Sequence, residues 1–447
     1  MGADVPWFCS EGRVTALYPV VVDINGVFRG KRLPASTTEK VFKGNLKLPA
    51  STLHVDIFGR DAIDSGLVLE TGDRDGSVKP TERGPLPLTW VEDDVAFLPC
   101  QMYTHEGPLS PIDSRGQLQA VARACAEAGL TPVCATELEF YLFDPQLAEM
   151  QPPLVPRTSQ RMVNAGLYSI DLLEALKGFT DDLYQACEAW DVPADAAISE
   201  CGQGQFEVNL LHCADPVKAA DDAALFKFIV RGVARKHGLG ATFMAKPYGE
   251  DAGSGFHLHA SMLDDEGGNV FDDGSEWGGD TLRAAVAGLL SSMAESTLLF
   301  APHLNSFRRL RDGTHAPTMA AWGHDNRTAA VRIPASPGVA RRFEHRVAGA
   351  DANPYLVLTA VLAAALEGIA AKAEPPAPFT GNSYQQDLPR LPTSWTDALL
   401  VFQNSDFVER TFGAAFRRAF VAAKKQEIDT FAEAVSAFEI AAYRGEV

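Results

Sequence analysis

Polar residues paired two apart inside apolar runs constrain this chain more than any other feature. Glu137 and Glu139 lie in TELEFYLF, His257 and His259 in GSGFHLHASM, and Glu344 and Arg346 in RRFEHRVAG, while Glu200 and Glu207 flank the turn of SECGQGQFEVNL. On a β-strand, residues i and i+2 face the same side. Each pair therefore aims two polar groups into one cavity. Carboxylates flanked by Phe140, Tyr141, Leu142 and Phe143 cannot stay ionised without a cation, because burying an unpaired charge is costly. Five carboxylates with one metal-competent histidine read as a site for two hard divalent ions. A carboxylate majority disfavours zinc and points to Mg²⁺ or Mn²⁺.

Charge narrows the partners. Fifty-eight acids against 39 bases leave a net charge of −19 in 447 residues. No basic footprint for nucleic acid or an anionic membrane is expected, and metals or cationic substrates are favoured. Seven cysteines (Cys9, Cys100, Cys125, Cys134, Cys187, Cys201 and Cys213) form no CxxC pair and read as reduced thiols. MGADVPWFCSEGR lacks the basic-then-apolar order of a signal peptide, and Leu356 to Leu366 is too short to span a bilayer. A soluble cytoplasmic protein is expected.

Local signals give a strand-rich first hundred residues, followed by strands and helices in irregular alternation. Asn25-Gly26 in VVVDINGVFRGK signals a two-residue hairpin turn, and Gly59 to Arg83 reads as long loops. THEGPLSPIDS reads as a linker, with Asp113 or Ser114 capping a helix that ends at Gly129. Asp215-Pro216 opens a helix closed by Gly238, Asp280 opens another, and Asn353-Pro354 begins the apolar one. ATFMAKP and GFHLHASML read as strands around a glycine loop from Gly249 to Gly255, whose small residues let backbone approach a ligand. The tail from Ser394 reads as two or three amphipathic helices.

Arginines cluster outside helical patterns: Arg308, Arg309 and Arg311 in NSFRRLRDG, Arg327 and Arg332 in NRTAAVRIP, and Arg341, Arg342 and Arg346 in ARRFEHR. Planar guanidinium forks suit phosphate and carboxylate oxygens, so arginines beside a two-metal site suggest phosphoryl transfer to a carboxylate. No Walker loop or strand–GxGxxG–helix unit is present.

The ordered set ELEF, E-x₆-E, KP…GSG-x-H-x-H, NS-x-x-RL, NR-x-x-x-x-RIP, R-x-E-x-R and ANPYL resembles the class I glutamine synthetase superfamily over nearly the whole chain. DINGVFRGKR, ATFMAKPY, AGSG, WGHDNRT and VAGADANPYL resemble its γ-glutamylpolyamine branch, the γ-glutamylputrescine synthetases. The resemblance implies a small β-grasp-like domain over residues 1–107. It implies an α+β fold, with a catalytic domain over 108–447 built on a curved antiparallel sheet and surrounding helices. It also implies a dodecamer of two hexameric rings, with each site completed by a neighbour. Glu139, Glu200 and Glu207 are expected on one metal, and Glu137, His257 and Glu344 on a second. Gly253, Arg309 and Arg346 are expected on L-glutamate. Arg327, Arg332, Arg342, His259 and Ser261 are expected on ATP, with Arg346, Arg327 and His315 catalytic. The implied activity is ATP-dependent ligation of an amine to the γ-carboxylate of glutamate through γ-glutamyl phosphate.

Departures from the family pattern sharpen this expectation. Where glutamine synthetases hold ammonium with an aspartate, the loop reads LPASTL, with Pro49 and Ala50. Where they carry a flap glutamate, RDGTHAP places His315. Ala252 replaces an asparagine and Val339 a lysine near the nucleotide. Losing both acids removes the cage for a small hydrated cation and leaves a site for a larger amine, most simply a polyamine such as putrescine. Glutamine synthesis, ligation of a monoamine such as ethanolamine or an alkylamine, and an inactive structural or regulatory paralogue stay open. So does adenylylation, since Tyr384 in NSYQQDLP loosely resembles the modified loop of some relatives.

Overall fold

The computed structural model describes residues 14–158, 160–163, 166–336 and 338–447; Cys9 and the MGADVPWFCSEGR segment lie outside them. The chain builds two sheets in sequence. The first holds β1 (Ala16–Val22), β2 (Phe28–Gly30), β3 (Leu33–Pro34), β4 (Leu46–Pro49), β5 (Asp75–Pro80), β6 (Leu86–Pro87) and β7 (Val95–Tyr103). Its main path runs β2-β1-β7-β5-β4, with β1 and β7 parallel at the centre.

The second sheet carries the paired acids. It comprises β8 (Thr131–Phe143), β9 (Ala194–Ser199), β10 (Gln205–Cys213), β11 (Gly240–Thr242), β12 (Phe256–Leu263), β13 (Trp322–His324), β14 (Val331–Ile333) and β15 (Phe343–His345). Its order is β13-β14-β15-β12-β8-β10-β9, with β11 also on β8. Every pair is antiparallel except the short edge pair β13–β14, which is parallel. Glu207 lies opposite Glu139, His257 opposite Glu137, and His259 opposite Glu344. Farther along, β10 places three residues where β8 places two, a bulge between Leu210 and Cys213.

Helices form where the caps predict them. Asp113 accepts from the Gly116 N–H ahead of Ser114–Glu127, and Asp215 caps Pro216–Lys236 with proline in its first turn. Asn353 caps Pro354–Ala371, which is apolar and long enough to cross a membrane yet 72% buried within the fold. It packs on Asp280–Phe300, where Gly288 and Gly368 let the backbones touch: a Cβ on Gly368 would lie 2.7 Å from the Gly288 nitrogen. The tail forms helices Trp395–Gln403, Asp406–Glu433 and Ala437–Tyr443.

Three local expectations are corrected. The β1–β2 hairpin closes through three residues, Ile24, Asn25 and Gly26. The Asp23 N–H donates to the Val27 carbonyl, the Asp23 carboxylate accepts from the Asn25 and Val27 N–H groups, and Gly26 is left-handed at φ 75°. Residues 59–83 are not all loop, because Asp75–Pro80 is ordered as β5 between β4 and β7. ATFMAKP does not form one strand: β11 ends at Thr242, and Lys246 instead exchanges two hydrogen bonds with the Asn305 side chain (2.8 and 2.9 Å).

Candidate active site

Strand alternation places the acids as the spacing requires. Along β8 the apolar Leu138 and Phe140 are buried, while Glu137 and Glu139 share the opposite, half-buried face. β10 adds Glu207 opposite Glu139, and Glu200 follows β9. β12 adds His257 and His259, and β15 adds Glu344.

Glu137 is the hub. His257 Nδ1 donates to its Oε2 (3.0 Å) and His259 Nε2 to its Oε1 (2.8 Å). Burial acts to raise its pKa, but those two histidines outweigh it and hold the carboxyl far below the usual range. His259 Nδ1 accepts from Arg342 Nε (3.1 Å), which orients the ring toward Glu137. Glu344, 1% exposed, pairs with Arg332 Nη1 (2.7 Å) and with Arg346. Burial opposes its ionisation, yet Arg346, His259 and His257 bring its pKa down to about 2.

Glu207 behaves oppositely. Burial, followed by the charges of Glu137, Glu139 and Glu200, pushes its pKa up to about 9. Glu200 is raised by burial and by Glu139. Carboxylates crowded together with too few cations are the electrostatic signature of a site completed by positive charge. Two groups bring ligand atoms within 4.8 Å of one another, Glu137–Glu207–His257 and Glu137–His259–Glu344. An oxygen-rich set with one imidazole per group fits Mg²⁺ or Mn²⁺. Glu139 instead accepts from the Gly255 N–H (2.7 Å) and from Gln205 Nε2 (3.2 Å).

Glycines decide how closely the arginines approach. A Cβ on Gly253 would lie 2.8 Å from Arg309 Cγ, and one on Gly255 would lie 2.8 Å from His257 Nε2. Arg309 is buried and donates to the carbonyls of Val347 (2.8 Å) and Arg346 (3.3 Å), so its guanidinium is fixed before any substrate arrives. Beside the hub opens a cavity of about 720 Å³ lined by Val133, Glu137, Leu211, His259, Ser261 and Arg342, with Val339 at its edge. An apolar wall ending in an arginine and the carboxylates can hold a flat base at one end and phosphates at the other.

Other predicted residues are more dispersed. Arg327 is exposed and acts on Glu200 through its charge. Arg332 bridges Glu344 to Asp325. His315 stands exposed on the flap with left-handed backbone, φ 59°. Pro49 and Ala50 sit at the end of β4, where Ala50 lines a separate cavity with His54 and Tyr103 that shares no residue with the carboxylate site. The Tyr384 hydroxyl donates to the Ala316 carbonyl (2.9 Å), tying it to the flap. Two groups escaped the sequence reading. Gln205 Nε2 bridges Glu139 and the Gly253 carbonyl (3.0 Å), and the Tyr141 hydroxyl donates to the Ala252 carbonyl (2.7 Å). Gln205 stands two residues before Glu207, so the same alternation marks it.

Comparison with known proteins places this geometry. Residues 111–443 match the glutamine synthetase catalytic domain model. The chain is 38% identical to γ-glutamylputrescine synthetase PuuA of Escherichia coli (strain K12), covering 94% of this chain and 90% of that one. It is 31% identical to a glutamine synthetase of Pyrococcus abyssi (strain GE5 / Orsay), covering 94% and 91%. A solved GmaS/ADP complex superposes with a TM-score of 0.86 at 26% identity, over 100% of both chains.

Proposed function

The chain belongs to the glutamine synthetase family and is an ATP-dependent glutamate–amine ligase, and we propose that its acceptor is a polyamine such as putrescine. The choice of amine rests on the flap: it carries His315 exposed at φ 59°, at the position where the family pattern of glutamine synthetases has a glutamate. The likeness to a γ-glutamylputrescine synthetase over 94% of the chain supports the same acceptor.

A carboxylate resists amine attack because its oxygen is a poor leaving group. Transfer of the ATP γ-phosphoryl group to the γ-carboxylate of glutamate gives γ-glutamyl phosphate and ADP. The amine nitrogen then attacks the γ-carbonyl carbon, phosphate departs, and the nitrogen loses a proton. In this reading Arg309 and Arg346, set by Gly253, hold the glutamate carboxylates. Arg327, Arg332 and Arg342, with His259 and Ser261, hold the nucleotide along the cavity wall. Arg346 and Arg327 face the charge that develops on the transferring group, where fixed donors act most strongly. Glu139, Glu200 and Glu207 would hold one divalent cation and Glu137, His257 and Glu344 another, with His259 beside them. When bound, these ions supply charge compensation for the phosphates. A primary alkylamine has a pKa near ~10.4, so an acceptor for its proton is required, and in this reading His315 on the flap accepts or relays it.

The proposal extends to organisation. Residues 1–107 form a β-grasp-like domain and 108–447 the catalytic domain, assembled in the cytoplasm as two hexameric rings. Separation of Ala50 from its own chain's carboxylates supports completion of each site by a neighbour. The six described cysteines are all free thiols, which suits a reducing compartment.

ATP- and glutamate-dependent phosphate release across ammonium, ethanolamine, isopropylamine and putrescine separates the readings. Putrescine is expected to support turnover far better than ammonium at equal concentration. Preference for ammonium over every larger amine restores glutamine synthesis, and no release with any amine leaves a structural role.

A further inference from the structure

Arg308 and Arg311, two arginines of NSFRRLRDG, take no part in the carboxylate site. They line a second cavity of about 510 Å³, together with Arg390, Asp312, Ser394 and Trp395, and it shares no residue with the nucleotide cavity. Three guanidinium groups face one carboxylate there, so the wall carries excess positive charge. Arg308 makes one long bond, Nη1 to the Leu304 carbonyl at 3.3 Å, and both Arg308 and Arg311 are exposed. Trp395 is 4% exposed, and its indole N–H finds no acceptor among the described residues. The same wall receives the N-terminus of the nine-residue helix Trp395–Gln403, capped by Ser394. The first turn of that helix is already occupied by Asp397, whose carboxylate accepts from Ser394 Oγ (2.7 Å), so the attraction for an anion comes from the guanidinium groups of Arg308, Arg311 and Arg390.

This cavity is also the back of the flap. Arg390 Nη2 donates to Asp312 Oδ2 (2.8 Å), and Thr318 Oγ1 donates to the other oxygen of that carboxylate (2.6 Å). The Leu391 N–H donates to the Thr318 carbonyl (3.0 Å), and Ala320 donates to the Pro389 carbonyl (2.7 Å). The chain from Asp312 to Thr318, which carries His315, is therefore latched to the segment that holds Arg390.

We propose that this cavity is a regulatory site for a small dianion, a dicarboxylate or a phosphate, that sets the position of the flap. The anion recruits Arg308 and Arg311 and competes with Asp312 for Arg390. Its binding therefore changes the hold on Asp312 and, through it, the affinity for the amine. Two sites coupled through one latched element exchange affinity reciprocally.

The test uses the intact assembly at constant ionic strength. Binding of inorganic phosphate and of succinate is measured calorimetrically with the catalytic site saturated by ADP, Mg²⁺ and glutamate, and no amine present. One site per chain is expected, and whichever probe binds more tightly identifies the source. The double variant Arg308→Gln/Arg311→Gln, which leaves the Arg390–Asp312 latch intact, should weaken that site tenfold or more. Trp395→Phe, which removes the indole N–H together with part of the ring and leaves all three guanidinium groups, should weaken it less. The better-bound probe should shift the amine KM of the wild type about fivefold, with the double variant unresponsive. Absence of such a site, its survival in the double variant, or an amine KM indifferent to the bound anion would overturn the proposal. Because binding is read without amine, that failure is distinguishable from a wrong choice of acceptor.

Discussion

Metal binding to this protein should expel a proton, and Glu207 is its source. Its pKa, lifted to about 9 by burial and by Glu137, Glu139 and Glu200, leaves it protonated in the metal-free fold at pH 7.5. A cation can use that carboxylate only after it ionises. Ionisation at pH 7.5, about 1.5 units below the pKa, costs about 2 kcal/mol of binding free energy. Between about pH 6.5 and 8.5, affinity for the ion that Glu207 holds should therefore tighten about 75-fold, with close to one proton released per chain at the lower end. Mn²⁺ titrations in two buffers of different ionisation enthalpy count that proton directly. Glu207→Gln should abolish the release and flatten the pH dependence. The sign carries to stability. A carboxyl raised above its ordinary value of 4.5 contributes stability to the metal-free fold at low pH that is lost as pH rises toward about 9. The metal-free melting temperature should accordingly fall across that window, and bound metal should restore it. An affinity independent of pH, with no proton released, would refute the electrostatic reading of the site.

Glu139→Ala and His257→Ala should each abolish turnover while sizing shows an intact assembly, and excess chelator should do the same to the wild type. Arg346→Lys keeps the positive charge but removes the planar, bidentate fork; kcat should fall on the order of 10²-fold while the glutamate KM moves only a few-fold. His315→Ala should slow the amine step in rapid-quench experiments and leave ADP formation from ATP and glutamate unimpaired; an equal loss of both would assign His315 to shaping the flap alone.

What the sequence displayed plainly was periodicity and capping. Glu137 with Glu139 and His257 with His259 obey the two-residue repeat of a strand, and Asp113, Asp215 and Asn353 cap helices by local hydrogen bonds that need no tertiary partner. Elements decided by their neighbours were hidden. Asp75–Pro80 has the composition of a loop and is a strand because β4 and β7 pair with it on both sides. The Asn25-Gly26 signal located a hairpin but not its loop length, since the Asp23 carboxylate competes for the turn's N–H groups. Within the site, residue types foretold the carboxylate cluster. The position of His259, shared between Glu137 and Arg342, depends on strand register across three strands. Arg308 and Arg309 are adjacent in sequence yet have different surroundings: Arg308 is exposed at the second cavity, and Arg309 is buried against the Val347 and Arg346 carbonyls.

The bulge between Leu210 and Cys213 has an evolutionary corollary. It consists of Leu211 and His212, which line the cavity beside Glu137, and it lies just beyond Glu207, which is fixed opposite Glu139. A strand with strict alternation would pass any inserted or deleted residue along its length and turn Glu207 away from its partners. Here the irregularity works as an expansion joint. Changes in length or identity on the nucleotide side are absorbed before they reach the carboxylates. The cavity wall at Leu211 and His212 can thus be varied by design while Glu207 keeps its register on Glu139.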